Sequence, residues 1–125
     1  MKKRKKKTER QKIIDKLDAV WSLKVKERAD FMCEIGGSDR VVSHHIIPKA
    51  RGYAIRWCLD DGVCIEGGKH FKLHNDPEYA YRILKELISQ RGKPWYTRIK
   101  KLSNRIVKYT NKELYEILEK LKNSK

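Results

Sequence analysis

Four histidines occur in the 125 residues, and all of them fall between positions 43 and 74. Two are adjacent in Ser43-His44-His45-Ile46-Ile47-Pro48, and two are four residues apart in Lys69-His70-Phe71-Lys72-Leu73-His74. An i, i+4 pair on a helix puts both rings on one face, within reach of one cation. Imidazole also titrates near neutral pH, so two adjacent histidines can divide the work: one binds a metal, the other takes a proton from water. A metal ion stabilises charge on a phosphate and on a leaving oxygen. The two pairs read as the jaws of one divalent-metal site that hydrolyses a phosphodiester. Neighbouring side chains of an ideal strand point to opposite faces. His44 and His45 therefore share a site only if the strand bulges or ends there, or if the scissile phosphate lies between them.

The composition points to the same kind of partner. Lys+Arg number 31 against 16 Asp+Glu, a formal net charge of +15, which suggests a polyanion. The length suits one domain with a small core, and 39% hydrophobic residues exclude disorder throughout. The cysteines, Cys33, Cys58 and Cys64, are odd in number and form no C-x-x-C pair, which fits a reducing cytoplasm without a disulfide framework. No apolar run is long enough to span a bilayer, and no apolar stretch follows the basic N-terminus as a secretory signal requires.

The elements that must position the histidines follow from periodicity and caps. Lys2 to Lys7 is a run of like charge, expected to be a disordered tail over residues 1–7. Thr8-x-x-Gln11 opens a helix whose apolar stripe, Ile13, Leu17, Trp21 and Val25, runs to about Arg28 and is core. After the Gly36-Gly37-Ser38-Asp39 turn, the run from Val41 to Ile47 reads as a strand ended by Pro48. Residues 49–60 read as a loop, Val63-Cys64-Ile65 as a second strand, and a short helix after Gly67-Gly68 carries His70 and His74. Asp76-Pro77 starts a helix that stops at Gly92; Pro94 opens another carrying Trp95, Ile99, Leu102 and Ile106. Thr110-x-x-Glu113 caps a last helix with Leu114, Leu118 and Leu121. The fold class is α+β, with a hairpin and short helix set in a mostly helical domain.

From Cys33 to His74, C-E-I-G-G-S…V-V-S-H-H-I-I-P-K-A…L-D-D-G-V-C-I-E-G-G-K-H-F-K-L-H resembles the HNH, or ββα-metal, endonucleases. Members carry H-H or D-H before I-x-P, a central L-D-N-G, and a closing C-H-x-x-x-H or a variant of it. The resemblance spans about a third of the chain, with all four histidines in register. It implies His44, His70 and His74 as ligands of one divalent ion (Mg²⁺, Mn²⁺, Ni²⁺ or Zn²⁺), His45 as general base, and DNA as substrate. The motif occupies residues 31–75, between a helix over 8–30 and a helical extension over 76–125.

Two departures from the family pattern bear on the site. Asp61 stands where the family has Asn; it accepts the same hydrogen bonds, cannot donate as an amide does, and is expected to help orient the catalytic histidine. Where many relatives clamp a structural zinc with two C-x-x-C pairs, this chain has Cys33, Gly36, Glu66 and Lys69, so no four-cysteine zinc is expected and Glu66 and Lys69 are expected to form an ion pair instead. The flanks, Leu17-Asp18-Ala19-Val20-Trp21 before the motif and Arg91-Gly92 after it, more loosely resemble the phage NinG/Rap recombination nucleases, which act on branched DNA. That likeness suggests phage DNA processing, with a protein partner in that process and the host cytoplasm as compartment. Lys49, Arg51, Arg56 and Lys72 are candidate phosphate contacts, the arginines through their bidentate fork. The competing readings are a non-catalytic DNA- or RNA-binding module whose histidines hold a structural zinc, and a basic RNA-binding protein in which the histidines are incidental.

Overall fold

Thr8 starts the first helix, its hydroxyl accepting from the Gln11 N–H at 3.2 Å. The computed structural model describes residues 5–124, and this helix is α1 (Glu9–Arg28). β1 (Val41–His45), β2 (Gly62–Glu66), α2 (Gly67–Asn75), α3 (Pro77–Arg91), α4 (Lys93–Ser103) and α5 (Asn111–Lys122) follow. The class is α+β: among the described residues there are five helices and one two-stranded antiparallel sheet, so the chain is mostly helical. Of the basic tail, residues 1–4 lie outside the described residues, while Lys5 to Lys7 are exposed and Lys7 pairs with Asp15 at 2.6 Å.

Ile13, Leu17, Trp21 and Val25 recur every fourth residue along α1 and are all buried, so one apolar stripe faces inward. They pack with Leu114, Leu118 and Leu121 of α5, which begins on a Thr110–Glu113 capping box. Strand alternation divides β2 between two cores. Cys64 joins the α1/α5 core together with Trp57, while Val63 and Ile65 join Leu87 of α3 and Trp95 and Ile99 of α4. The sheet is thus a middle layer. At Gly62 α1 packs tightly on the sheet: a Cβ there would lie 2.4 Å from Val25 Cγ2 and 2.9 Å from Trp21 Cζ2.

Several element boundaries depart from the sequence expectation. The first strand ends at His45 rather than Ile47. The Ile46 N–H still meets the Asp61 carbonyl in register, but the Ile47 N–H turns to Asp61 Oδ1, each at 2.8 Å, and the chain leaves the ladder there. The loop over 49–60 contains two short 3₁₀ turns, Tyr53–Ile55 and Leu59–Asp61. Helix α4 ends at Ser103, short of Ile106, which is 98% exposed. The chain leaves the helix there to bring Tyr109 onto the Ala54 carbonyl and α5 onto α1.

The corner expected to replace a zinc clamp is closed by hydrogen bonds. The Glu66 N–H donates to Cys33 Sγ at 3.3 Å, Glu66 Oε2 accepts from the Ser38 N–H at 3.0 Å, and Lys69 Nζ donates to the Gly36 carbonyl. Glu66 and Lys69 hold the intervening turn rather than pairing directly with each other. That turn passes through Gly36 and Gly37 at φ +86° and +128°, where a side chain would be strained. No helix among the described residues is long and apolar enough to cross a membrane.

Candidate metal centre and general base

β1 carries His44 and His45, and α2 carries His70 and His74 one turn apart. α2 follows β2 without a loop, so its inward face lies against the His44 side of β1. His44, His70 and His74 each offer a ring nitrogen, and the three nitrogens lie within 4.8 Å of one another. The rings meet edge to face, with centroids 5.0 Å (His44–His70), 5.2 Å (His44–His74) and 4.6 Å (His70–His74) apart. The Nε2 atoms of His70 and His74 are 3.0 Å apart. Around a tetrahedral ion with bonds of about 2.0–2.1 Å, neighbouring ligand atoms stand about 3.3 Å apart. The pair is close to that spacing already.

Electrostatics favours the form that binds metal. Burial, then the imidazoles of His70, His74 and His45, push the His44 pKa down to about 4. Burial, then His74, lowers that of His70. Neutral imidazoles keep the lone pair that a cation needs. No carboxylate belongs to the group. Three nitrogens suit a transition ion of the zinc or nickel kind better than magnesium or manganese, which prefer oxygen. The residues present therefore fit a single divalent transition metal.

His45 leaves the strand on the other face. Its ring lies flat on the Trp21 indole, with centroids 3.8 Å apart and planes 5° from parallel. Gly62, its cross-strand partner, leaves room for that indole. His45 Nε2 is 2.8 Å from the Arg56 carbonyl oxygen. A carbonyl only accepts, so Nε2 carries the hydrogen and Nδ1 carries the lone pair. Burial lowers the His45 pKa, opposed by the Arg56 carbonyl and by Asp18. The strand is regular and neither bulges nor ends before His45. The adjacent histidines belong to opposite faces of β1.

Asp61 is fully buried. It holds the backbone just after the histidine pair rather than the His45 ring: its carbonyl takes the Ile46 N–H and its Oδ1 the Ile47 N–H. Its Oδ2 is buried with no hydrogen-bond partner. Burial raises the carboxyl pKa to about 7, against the opposing pull of the Ile47 N–H and Arg91.

The basic candidates divide. Lys49 and Arg51 are exposed in the loop after β1. Lys72 is exposed on α2, with its Nζ 4.5 Å from the centre of the Tyr79 ring. Arg56 differs from the expectation of an open phosphate contact. Its guanidinium makes two hydrogen bonds to Asp18, at 3.1 and 2.7 Å, and its side chain is only 18% exposed. Asp18 also accepts from Trp57 Nε1 at 2.9 Å. Asp18 and Trp21 thus contact the surroundings of His45, a role the periodicity of α1 does not announce. The available signal was an acid at position 18, directly beside the buried stripe residue Leu17. Comparison of the chain with protein-family models, with curated proteins and with solved structures returns no match.

Proposed function

We propose that this chain is a metal-dependent endonuclease of the HNH kind that hydrolyses DNA phosphodiester bonds. One observation carries the reading: three imidazoles converge on one point, while the imidazole next in sequence is kept apart from them and held in a single tautomer. His44, His70 and His74 would hold the ion. When bound, it supplies charge stabilisation for the scissile phosphate and the leaving oxygen. His45 is the base. The Arg56 carbonyl keeps the proton on Nε2, and the Trp21 face fixes the ring plane, so Nδ1 is the atom that takes a proton from water. Its lowered pKa keeps it unprotonated at neutral pH. Asp61 is a positioning residue that pins the chain at Ile46 and Ile47 and so fixes where the pair sits. A phosphodiester at the outer edge of β1 would have the ligand group on one side and the base on the other.

The net charge of +15 supports a nucleic-acid substrate, with Lys49, Arg51 and Lys72 as exposed phosphate contacts. A role in phage DNA processing rests on the flanking likeness alone. The test is nicking of supercoiled plasmid by purified protein across a series of divalent metals, with and without EDTA. Cleavage should need metal, and His45→Ala should stop it while leaving metal and DNA binding in place. Undiminished cleavage by His45→Ala would sink the mechanism. Unfolding upon chelation, with no cleavage under any metal, would favour a zinc-stabilised binding module.

A further inference from the structure

A cavity of about 300 Å³ opens at the adjacent histidines of β1 and at His74, between the end of β1 and helices α2 and α3. His44, His45 and His74 form one end of it, Val63 and Leu87 its buried floor, and Tyr81 and Leu84 the side supplied by α3. Its size is at the lower end for small-molecule sites. The hydrolytic chemistry uses only the histidine end of it; the apolar remainder, from Val63 to Leu84 and Leu87, is left without a role. We infer that this cavity takes an unpaired nucleobase from the nucleotide next to the scissile phosphate, so that the chain prefers DNA with unstacked or single-stranded positions. The inference rests on the nuclease reading, because that reading puts a phosphate at the cavity's histidine end.

The chemistry of the walls supports a base over other occupants. Tyr81 is 59% exposed at the rim, with Lys85 over one face of its ring and the other face left for stacking. Lys85 Nζ lies 4.7 Å from the centre of that ring, so a cation sits beside the place where the next phosphate would run. Ile83, Leu84 and Leu87 offer only carbon, and no side-chain donor or acceptor of theirs can read a base edge. Such a pocket accepts any base through its π-face and does not distinguish sequence. A base stacked within a duplex has both faces covered and must leave the stack to enter. An apolar protein segment would fill the same hollow, but it would bring no charge to answer the basic surface around it.

The test is a binding titration with the full chain carrying His45→Ala and loaded with Zn²⁺. Three labelled probes of equal length are compared: a single-stranded oligothymidylate, the same backbone with abasic sites, and a duplex. The oligothymidylate should bind at least about tenfold tighter than the abasic strand, the order that one stacked base contributes. Tyr81→Ala removes an exposed ring without disturbing either core and should close most of that gap while leaving duplex affinity unchanged. Leu84→Trp, which fills the hollow, should do the same. Equal affinity for the base-bearing and abasic strands overturns the inference, as does a gap that survives both variants. Plasmid cleavage by the unmutated chain separates the two claims. Cleavage without a gap overturns the base site and leaves the nuclease standing; a gap without cleavage retains the base site and overturns the nuclease.

Discussion

The Trp21 indole and the His45 imidazole lie face to face, 3.8 Å between centroids and 5° from parallel, although they come from different elements and are far apart in the chain. The stack exists because Gly62 carries no side chain at the point where α1 crosses the sheet. Trp21 is itself fixed by its Nε1 donating to the Cys58 carbonyl at 3.0 Å. Trp21→Phe keeps an aromatic ring but loses that hydrogen bond and part of the cover. We expect it to lower stability by about 1–3 kcal/mol, as a buried acceptor left without its partner does. Because burial is the first cause of the low His45 pKa, the variant should also move that pKa upward. An NMR titration of the His45 ring in metal-free protein measures the shift; an unmoved or lower pKa would refute this account of the base.

His44 makes metal-free stability fall in mild acid. The unfolded chain binds a proton there near pH 6.5, whereas the folded chain resists until about pH 4. The unfolded state therefore holds more protons between those values, and stability is full above pH 6.5 and declines as the pH drops towards 4. The shift corresponds to at most about 3 kcal/mol. His44→Asn, which has no titrating ring, should flatten the decline. Urea unfolding at pH 7.5 and at pH 4.5 supplies the comparison.

Asp61 gives a slope of the opposite sign. Its folded pKa of about 7 lies above the ordinary 3.8, so the folded chain keeps a proton that the unfolded chain has released. Stability from this group is lost as the pH rises through that window, and the carboxylate is least welcome above pH 7. Asp61→Asn keeps an acceptor for the Ile47 N–H and removes the charge. It should raise stability by about 1–3 kcal/mol at pH 8 and leave it unchanged near pH 4. A variant less stable than the parent at pH 8 would show that the charged carboxylate is wanted in place.

The arginines of the loop should separate by readout. Arg51→Ala removes an exposed charge and should weaken DNA binding evenly across sequences, lowering the salt slope by about one. Arg56→Ala removes a partner of Asp18 and loosens the segment whose carbonyl holds His45. Its expected signature is a stability loss of about 1.5–3 kcal/mol, typical of hydrogen bonds to charged groups, and a damaged pH–rate profile. An Arg56→Ala protein of full stability with a reduced salt slope would return that residue to the phosphate contacts.

Metal removal should leave the fold in place, because both cores are closed by apolar side chains and none of the three histidines belongs to either. Adding Zn²⁺ should raise the melting temperature in proportion to its affinity, and His70→Ala or His74→Ala should abolish that rise. Calorimetric titration measures the loss of binding directly. Collapse of the far-ultraviolet circular dichroism on chelation is the contrary result.

How much of this could be read beforehand depended on range. Thr8, Asp76 and the Thr110–Glu113 pair cap their helices as their local spacing suggests, because capping involves residues only two or three apart. The buried stripe of α1 was legible for the same reason: apolar periodicity carries it. The nearness of His70 to His74 follows from one helical turn. Ile106 shows the limit, since it continues the stripe of α4 yet lies beyond a helix end set by where α5 must pack. Arg56 shows another: nothing local says that its fork will meet Asp18 from a helix 38 residues earlier. Which face each of His44 and His45 takes was open for lack of the strand's end point, and the end point depends on Asp61, a residue from the far side of the loop.

The sheet as a middle layer has a further consequence for how damage spreads. His44 and His45 are covalent neighbours, yet each answers to a different half of the molecule. Loosening α5 would disturb the support of α1, and through Trp21 the proposed base His45, while the three clustered histidines stayed together. Loosening α4 or α3 would slacken the bed beneath the ligands and leave the indole stack intact. Loss of metal affinity and loss of turnover should therefore be separable faults, sorted by which side of a five-residue strand the injury lies on rather than by its distance from any histidine.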